Sequence, residues 1–256
     1  MHDGHIIIGN WKMNLDAFAS RALADELRKK LAGIRLAPNL EVVVCPSYDA
    51  LASVGEALSG SALQLGAQDV FWQEKGAYTG EISASMLAAL GVRLVIVGHS
   101  ERRTHLHETD ELVNMKVKAA LSQGMTPVLC VGETYDERRI GHTELILMRQ
   151  VVEGLKGITL GPDNKLVIAY EPVWVIGTGQ AIDPAQAERA IQVIRQSLID
   201  LYPPATIATQ IRVIYGGSVD PGNIANYTTI PGIRGVLVGA ASIHAENFIK
   251  LLASFT

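Results

Sequence analysis

At 256 residues, with 48% of them apolar, the chain has ample material for a buried core, and composition alone fits one large domain or two small ones. A formal charge of -4 at pH 7, with no basic run of five or more, excludes a global attraction to nucleic acid or to an anionic membrane. An anionic ligand must therefore be held by local groups.

In chain order, Met1-His2-Asp3-Gly4-His5 lacks the basic-then-apolar pattern of a secretory signal. No apolar stretch further on approaches the ~18 residues of a membrane span, so a cytoplasmic location with no membrane partner is expected. The first apolar run, Ile6-Ile7-Ile8, leads into Gly9-Asn10-Trp11-Lys12, and helical spacing then covers Asp16 to Leu31 with a stop at Gly33. Two further runs follow, Val42-Val43-Val44-Cys45 and Leu63-Gln64-Leu65, and Gly91 reads as another helix stop. Leu94-Val95-Ile96-Val97 runs into Gly98-His99-Ser100-Glu101-Arg102. Helical spacing resumes from Glu108 to Gln123, where Thr109 stands three residues before Leu112 as an N-cap and Gly124 closes the run.

Val128-Leu129-Cys130 precedes a helical stretch from Asp136 to Leu155. Both cysteines, Cys45 and Cys130, lie in β-branched runs and read as small buried hydrophobes, not as a disulfide. Leu166-Val167-Ile168-Ala169 then ends in Tyr170-Glu171-Pro172, and Asp183 before Pro184 opens a helix reaching Leu201. The last two runs end in small residues: Val213-Ile214 in Tyr215-Gly216-Gly217-Ser218, and Val236-Leu237-Val238 in Gly239-Ala240-Ala241-Ser242, with helical spacing from Ser242 to Leu252.

Eight apolar runs alternating with helical stretches predict a parallel sheet covered by helices. Their number within this length matches an α/β closed (β/α)8 barrel, eight parallel strands ringed by helices, as one domain over 1–256. The competing doubly wound sheet carries Gly-x-Gly-x-x-Gly after its first strand, where this chain has Gly9-Asn10-Trp11-Lys12.

In such a barrel the loops after the strands share one face, so the strand ends form one list of candidates. Glu171 closes an apolar strand and suits proton abstraction. Pro172 fixes the chain after it, while Gly177 and Gly179 free the backbone further on, so the span between, with Trp174 and Ile176 as apolar cover, suits a lid. Gly216-Gly217-Ser218 and Gly239-Ala240 offer backbone N–H groups with little bulk, as a phosphate requires. Lys12 brings a positive charge to the barrel mouth, and His99, at the start of a helix, suits a neutral ring that donates to a carbonyl oxygen. His105-Leu106-His107 looks like a metal pair, yet no His-Glu-x-x-His or paired Cys motif accompanies it. No Walker A sequence and no complete nucleophile elbow occurs.

Over essentially its full length the chain resembles the triosephosphate isomerase family. The matching stretches are Gly9-Asn10-Trp11-Lys12-Met13-Asn14, Glu74 to Glu81, Gly98 to Arg103, Ala169 to Trp174, Tyr215 to Val219 and Leu237-Val238-Gly239, in the family's order. The resemblance implies the TIM barrel and the interconversion of dihydroxyacetone phosphate and D-glyceraldehyde 3-phosphate, without metal or other cofactor. This family is itself a standard illustration of base, neutral-histidine electrophile and loop closure, so those roles come with the resemblance. It makes Glu171 the base, His99 the electrophile, and Asn10 and Lys12 the contacts to substrate and enediolate. Gly177, Ser218, Gly239 and Ala240 would hold the phosphate, and Glu101 and Ser100 would support Lys12 and His99 from behind. Gln68 to Gly80, with Thr79 at the tip, looks like the loop this family inserts into a neighbouring subunit, which implies a homodimer.

Departures from the family's common pattern are Asp69 for Asn, Val175 for Ala, Gln180 for Lys, Ala240 for a second Gly, and His105-Leu106-His107. None removes a catalytic group, since Ala240 keeps its N–H. Two other readings remain at this stage. One is another phosphosugar barrel enzyme, an epimerase or an aldolase, although metal-coordinating His and Asp at several strand ends, or a lysine inside a later strand, are missing. The other is a non-catalytic phosphate-binding barrel, although base, electrophile and cation are all present.

Overall fold

Strands rich in β-branched residues and apolar at nearly every position bury both faces, as a parallel sheet does when it is closed into a barrel and covered by helices outside. The computed structural model, which describes residues 4–176 and 180–255, has this form. Eight strands, β1 (His5–Asn10), β2 (Leu40–Cys45), β3 (Leu63–Ala67), β4 (Leu94–Val97), β5 (Thr126–Val131), β6 (Leu166–Tyr170), β7 (Ile211–Tyr215) and β8 (Ile233–Val238), pair in sequence order. The barrel closes where β1 meets β8 in parallel, Ile7 opposite Val236. Closure excludes the open doubly wound sheet.

Alternation divides the core. Ile6, Ile8, Val43, Cys45, Ile96, Cys130, Ala169 and Leu237 point into the barrel. Their neighbours Ile7, Val42, Val44, Val95, Leu129 and Ile168 pack outward against the helices. Both cysteines are free and buried.

The helices are α1 (Ala17–Leu31), α2 (Leu51–Leu58), α3 (Ala84–Ala89), α4 (Ser100–His105), α5 (Asp110–Ser122), α6 (Tyr135–Arg139), α7 (Thr143–Gly154), α8 (Pro184–Leu201), α9 (Pro204–Gln210), α10 (Ile224–Thr228) and α11 (Ala245–Ala253). Thr109 accepts from the Leu112 N–H and Asp183 from the Ala185 N–H, as their spacing predicts. Gly91 and Gly124 end their runs in the left-handed region, whereas Gly33 follows α1 without entering it.

Two helical expectations change. The stretch from Asp136 to Leu155 is two helices, because the chain turns at Gly141 with φ 78°. α11 starts at Ala245, behind a short 3-10 turn over Ala240–Ile243. Among the described residues no helix is long and apolar enough to cross a membrane.

A buried ionic cluster ties the segment after β3 to α5. Lys116 bonds both oxygens of Asp69 (2.7 and 2.8 Å) and also Glu108, and Arg102 reaches Asp69 (2.8 Å) and Glu108 (2.6 Å). Two cations here face two carboxylates. Asp69 is 2% exposed, and desolvation, resisted by Lys116 and compounded by Glu108, pushes its carboxyl up to about 6. Glu108 is also penalised by burial, but its contacts with Lys116 and Arg102 bring it below the usual range, so the first proton goes to Asp69.

Since an unfolded aspartate titrates near ~3.9, the raised folded value makes Asp69's stabilising contribution full below that pH and lost as pH rises through about 6. Asp69→Asn, an isostere that cannot ionise, is therefore expected to gain on the parent by on the order of 1–3 kcal/mol between about pH 4 and pH 8. Thermal melts across that range check it. A stability difference that does not vary with pH would contradict it.

Candidate active site

Strand ends bring the site together. Asn10 ends β1, His99 follows β4 as the N-cap of α4, and Glu171 follows β6, with its N–H donating to the Val131 carbonyl (2.8 Å). Together with Lys12, Ser218, Gly239 and Ala240 they line one cavity of about 310 Å³ at the carboxyl ends of the strands.

The Glu101 N–H, at the start of α4, donates to His99 Nδ1 (3.2 Å). That bond occupies the Nδ1 lone pair and leaves Nε2 as the ring atom that can donate. Nε2 lies 3.0 Å from Glu171 Oε1, close but not aligned as a hydrogen bond, since that oxygen has no such partner among the described residues. The other oxygen, Oε2, accepts from the Ser100 N–H (2.9 Å). Ser100 thus contributes through its backbone. With Glu171 1% and His99 6% exposed, the carboxylate is clamped yet keeps one oxygen free to act.

Lys12 takes the left-handed region with φ 52°, a conformation disfavoured for side chains of its kind. Three contacts hold it there. Its N–H donates to Asn10 Oδ1 (3.1 Å), its carbonyl accepts from Gln68 (2.8 Å), and its ammonium pairs with Glu101 (2.5 Å). A Cβ at Gly239 would stand 3.3 Å from Lys12 Cε, so the ammonium stem lies across the eighth loop. Glu101 reaches both centres: its carboxylate is also 3.6 Å from His99 Nδ1.

Glu133, just after β5, ties the end of β6 to the short 3-10 turn over Val173–Val175. This fully buried carboxylate accepts from the Tyr170 hydroxyl (3.3 Å) and the Trp174 indole (3.1 Å), and desolvation raises its pKa. Ile176 lines the cavity, whereas Gly177 and Gly179 lie outside the described residues. Burial pushes the Cys130 thiol up, with the charge of Glu171 adding to it.

Asn10, Lys12, His99, Glu171, Ser218, Gly239 and Ala240 therefore converge, with Ser100 and Glu101 behind them. Gln68 is tied within its own chain to Lys12 and Cys45, while Thr79 and Gly80 are exposed and do not line the cavity. His105 and His107 are exposed, and among the described residues no group of three or more His, Cys, Asp or Glu is arranged to hold a metal ion. Glu133 and Gly132 were not singled out in the sequence. Their signal was the same as for the others, a polar and a small residue directly following a strand.

The sequence model of the family described as "Triosephosphate isomerase" matches residues 5–255. Proteins named triosephosphate isomerase share 49% identity over 247 residues in Moorella thermoacetica (96% of this chain, 97% of the relative). The corresponding figures are 45% over 246 residues in Carboxydothermus hydrogenoformans (96% of each) and 44% over 247 residues in a Thermoanaerobacter species (96% and 98%).

Proposed function

The chain belongs to the triosephosphate isomerase family, and from that premise we propose that its reaction, the interconversion of dihydroxyacetone phosphate and D-glyceraldehyde 3-phosphate, is carried by Glu171, His99, Lys12 and Asn10. One observation supports the assignment above others: a Glu171 carboxylate oxygen and the His99 Nε2 stand 3.0 Å apart on the wall of one small cavity. A substrate carbonyl entering between them takes the Nε2 proton as its hydrogen-bond donor and leaves the carboxylate facing the adjacent carbon.

Glu171 then removes a proton from C1 of the ketose and returns it to C2. Charge develops on oxygen in between, where donors aimed at that oxygen favour the transition state over the ground state. The Lys12 ammonium and the Asn10 amide add to that stabilisation. Backbone N–H groups at Ser218, Gly239 and Ala240, and at Gly177 when the lid closes, hold the phosphoryl end. Closure also keeps water from the enediolate, which otherwise expels phosphate.

Assayed with D-glyceraldehyde 3-phosphate and a coupled dehydrogenase, the protein is expected to turn over triose phosphates and to leave pentose phosphates unchanged. Phosphate binding without isomerisation would favour a non-catalytic barrel.

We further propose a cytoplasmic homodimer. Met13, next to Lys12, is 95% exposed and Phe18 89%, and such apolar exposure beside a catalytic lysine calls for a cover. The exposed loop from 73 to 80 of a second copy would supply it. Sedimentation is expected to give twice the chain mass, and Met13→Arg to shift the protein to monomers with reduced turnover. A fully active monomer would count against the dimer.

A further inference from the structure

A second cavity, of about 490 Å³, opens between α6, α7 and α8 and shares no lining residue with the catalytic cavity. Arg138, Arg139 and Arg189 line it, with Glu144 as the one carboxylate among its lining residues. Three guanidinium groups thus converge on one cavity in a chain whose net charge is -4. The exposed Tyr135 ring and the side chains of Ala190 and Val193 complete an apolar wall.

The arginines are held unequally. Arg139 stands 3.9 Å from Asp136 and Arg189 3.3 Å from Glu144, and all four side chains are well exposed. Pairs so exposed are screened by water and contribute little, so an incoming anion displaces them readily. Arg138 is different. It donates to Gln186 (2.9 Å), lies 3.6 Å from buried Glu133, and stacks 4.4 Å from the centre of the Trp174 ring at the head of the lid.

We propose that this cavity is a second anion site, which binds a small phosphate-bearing molecule through Arg138, Arg139 and Arg189 and acts on the lid through the Arg138–Trp174 stack. Guanidinium forks match phosphate oxygens in pairs, and three of them suit a multiply charged phosphate better than a single carboxylate. The cavity volume lies in the range of small-molecule sites. An anion that draws Arg138 toward itself strips the cover from Trp174 and leaves Glu133 buried with one cation fewer. The entry to the lid is then held less firmly, and closure becomes costlier. The coupling rests on the lid reading given above, whereas the binding does not.

Inorganic pyrophosphate is the probe. Added to the native protein, it is expected to change the Trp174 fluorescence and to lower kcat even at saturating glyceraldehyde 3-phosphate. Trp174→Phe, which should keep the binding, identifies the source of the signal. The double variant Arg139→Gln/Arg189→Gln is expected to keep the basal kcat and KM but to need about 10-fold more pyrophosphate or beyond, each 10-fold corresponding to about 1.4 kcal/mol. Basal turnover without pyrophosphate is read in the same assay, so failure of the isomerase assignment would be visible separately. Inhibition that saturating substrate removes, and that is equal in the parent and the double variant, would place the pyrophosphate in the catalytic cavity and overturn the proposal. So would the absence of any fluorescence change at millimolar pyrophosphate.

Discussion

Glu171→Gln is expected to lower kcat by about 100- to 10,000-fold, the usual contribution of a positioned general base, with KM and the melting temperature little changed. The separation of these effects follows from the contacts. Glutamine fills the same space, its amide oxygen still accepts from the Ser100 N–H, and the buried pocket no longer has to hold a charge. Fold and ground-state binding therefore persist while the proton acceptor is gone. Glu171→Asp tests position instead of chemistry. Shortening the side chain draws the carboxylate back by ~1 Å, a misplacement that costs on the order of 100-fold. Steady-state kinetics by coupled assay, with thermal melts on the same preparations, decide the matter. An unchanged kcat in either variant would remove Glu171 from the reaction.

The barrel and the reactive residues were legible in the sequence for one reason. A strand buried on both faces is apolar at nearly every position, so the residue at which that run stops marks the rim of the barrel, and Asn10, His99, Glu171 and Gly239 all stand within two residues of such a stop. Helix ends were legible where a cap is local, as at Thr109 and Asp183. Apolar spacing fails where both sides of a turn stay amphipathic, and so Gly141 did not divide α6 from α7.

The cluster of Asp69, Arg102, Glu108 and Lys116 was invisible for another reason. The contact between Asp69 and Lys116 spans 47 positions, and nothing in the spacing of charges reveals which of them the fold will desolvate. Glu133 follows β5 as Glu171 follows β6, but its work is to anchor Trp174 and Tyr170, and a residue type does not distinguish an anchor from a base.

Gly132→Ala is expected to do damage out of proportion to one methyl group. An added Cβ would lie 1.6 Å from the Glu171 carbonyl oxygen and 2.6 Å from its carbonyl carbon, both backbone atoms, so no side-chain rotation relieves the contact. Neither segment has room to retreat. The Gly132 N–H donates to buried Gln150 (2.7 Å), and the Gln150 amide returns a bond to the Gly132 carbonyl (3.2 Å). On the other side the Glu171 N–H is fixed to the Val131 carbonyl (2.8 Å) and the Gly216 N–H to the Tyr170 carbonyl (2.8 Å).

The clash must therefore break part of the β5–β6 junction, and a loss of about 4 kcal/mol or more places the substitution among the exceptional ones. Molecules that still fold carry the base on a displaced backbone, with a further loss of on the order of 100-fold in kcat for ~1 Å. Urea melts give the first number and coupled kinetics on the folded fraction the second. Gln150→Ala provides a comparison, because it loosens the Gly132 side of the junction without adding an atom against Glu171, and it should cost less activity than Gly132→Ala. Parental stability and parental kcat in Gly132→Ala would mean that the close approach of β5 and β6 does not set the position of the carboxylate. The placement of Glu171 would then have to come from Ser100 and His99 alone.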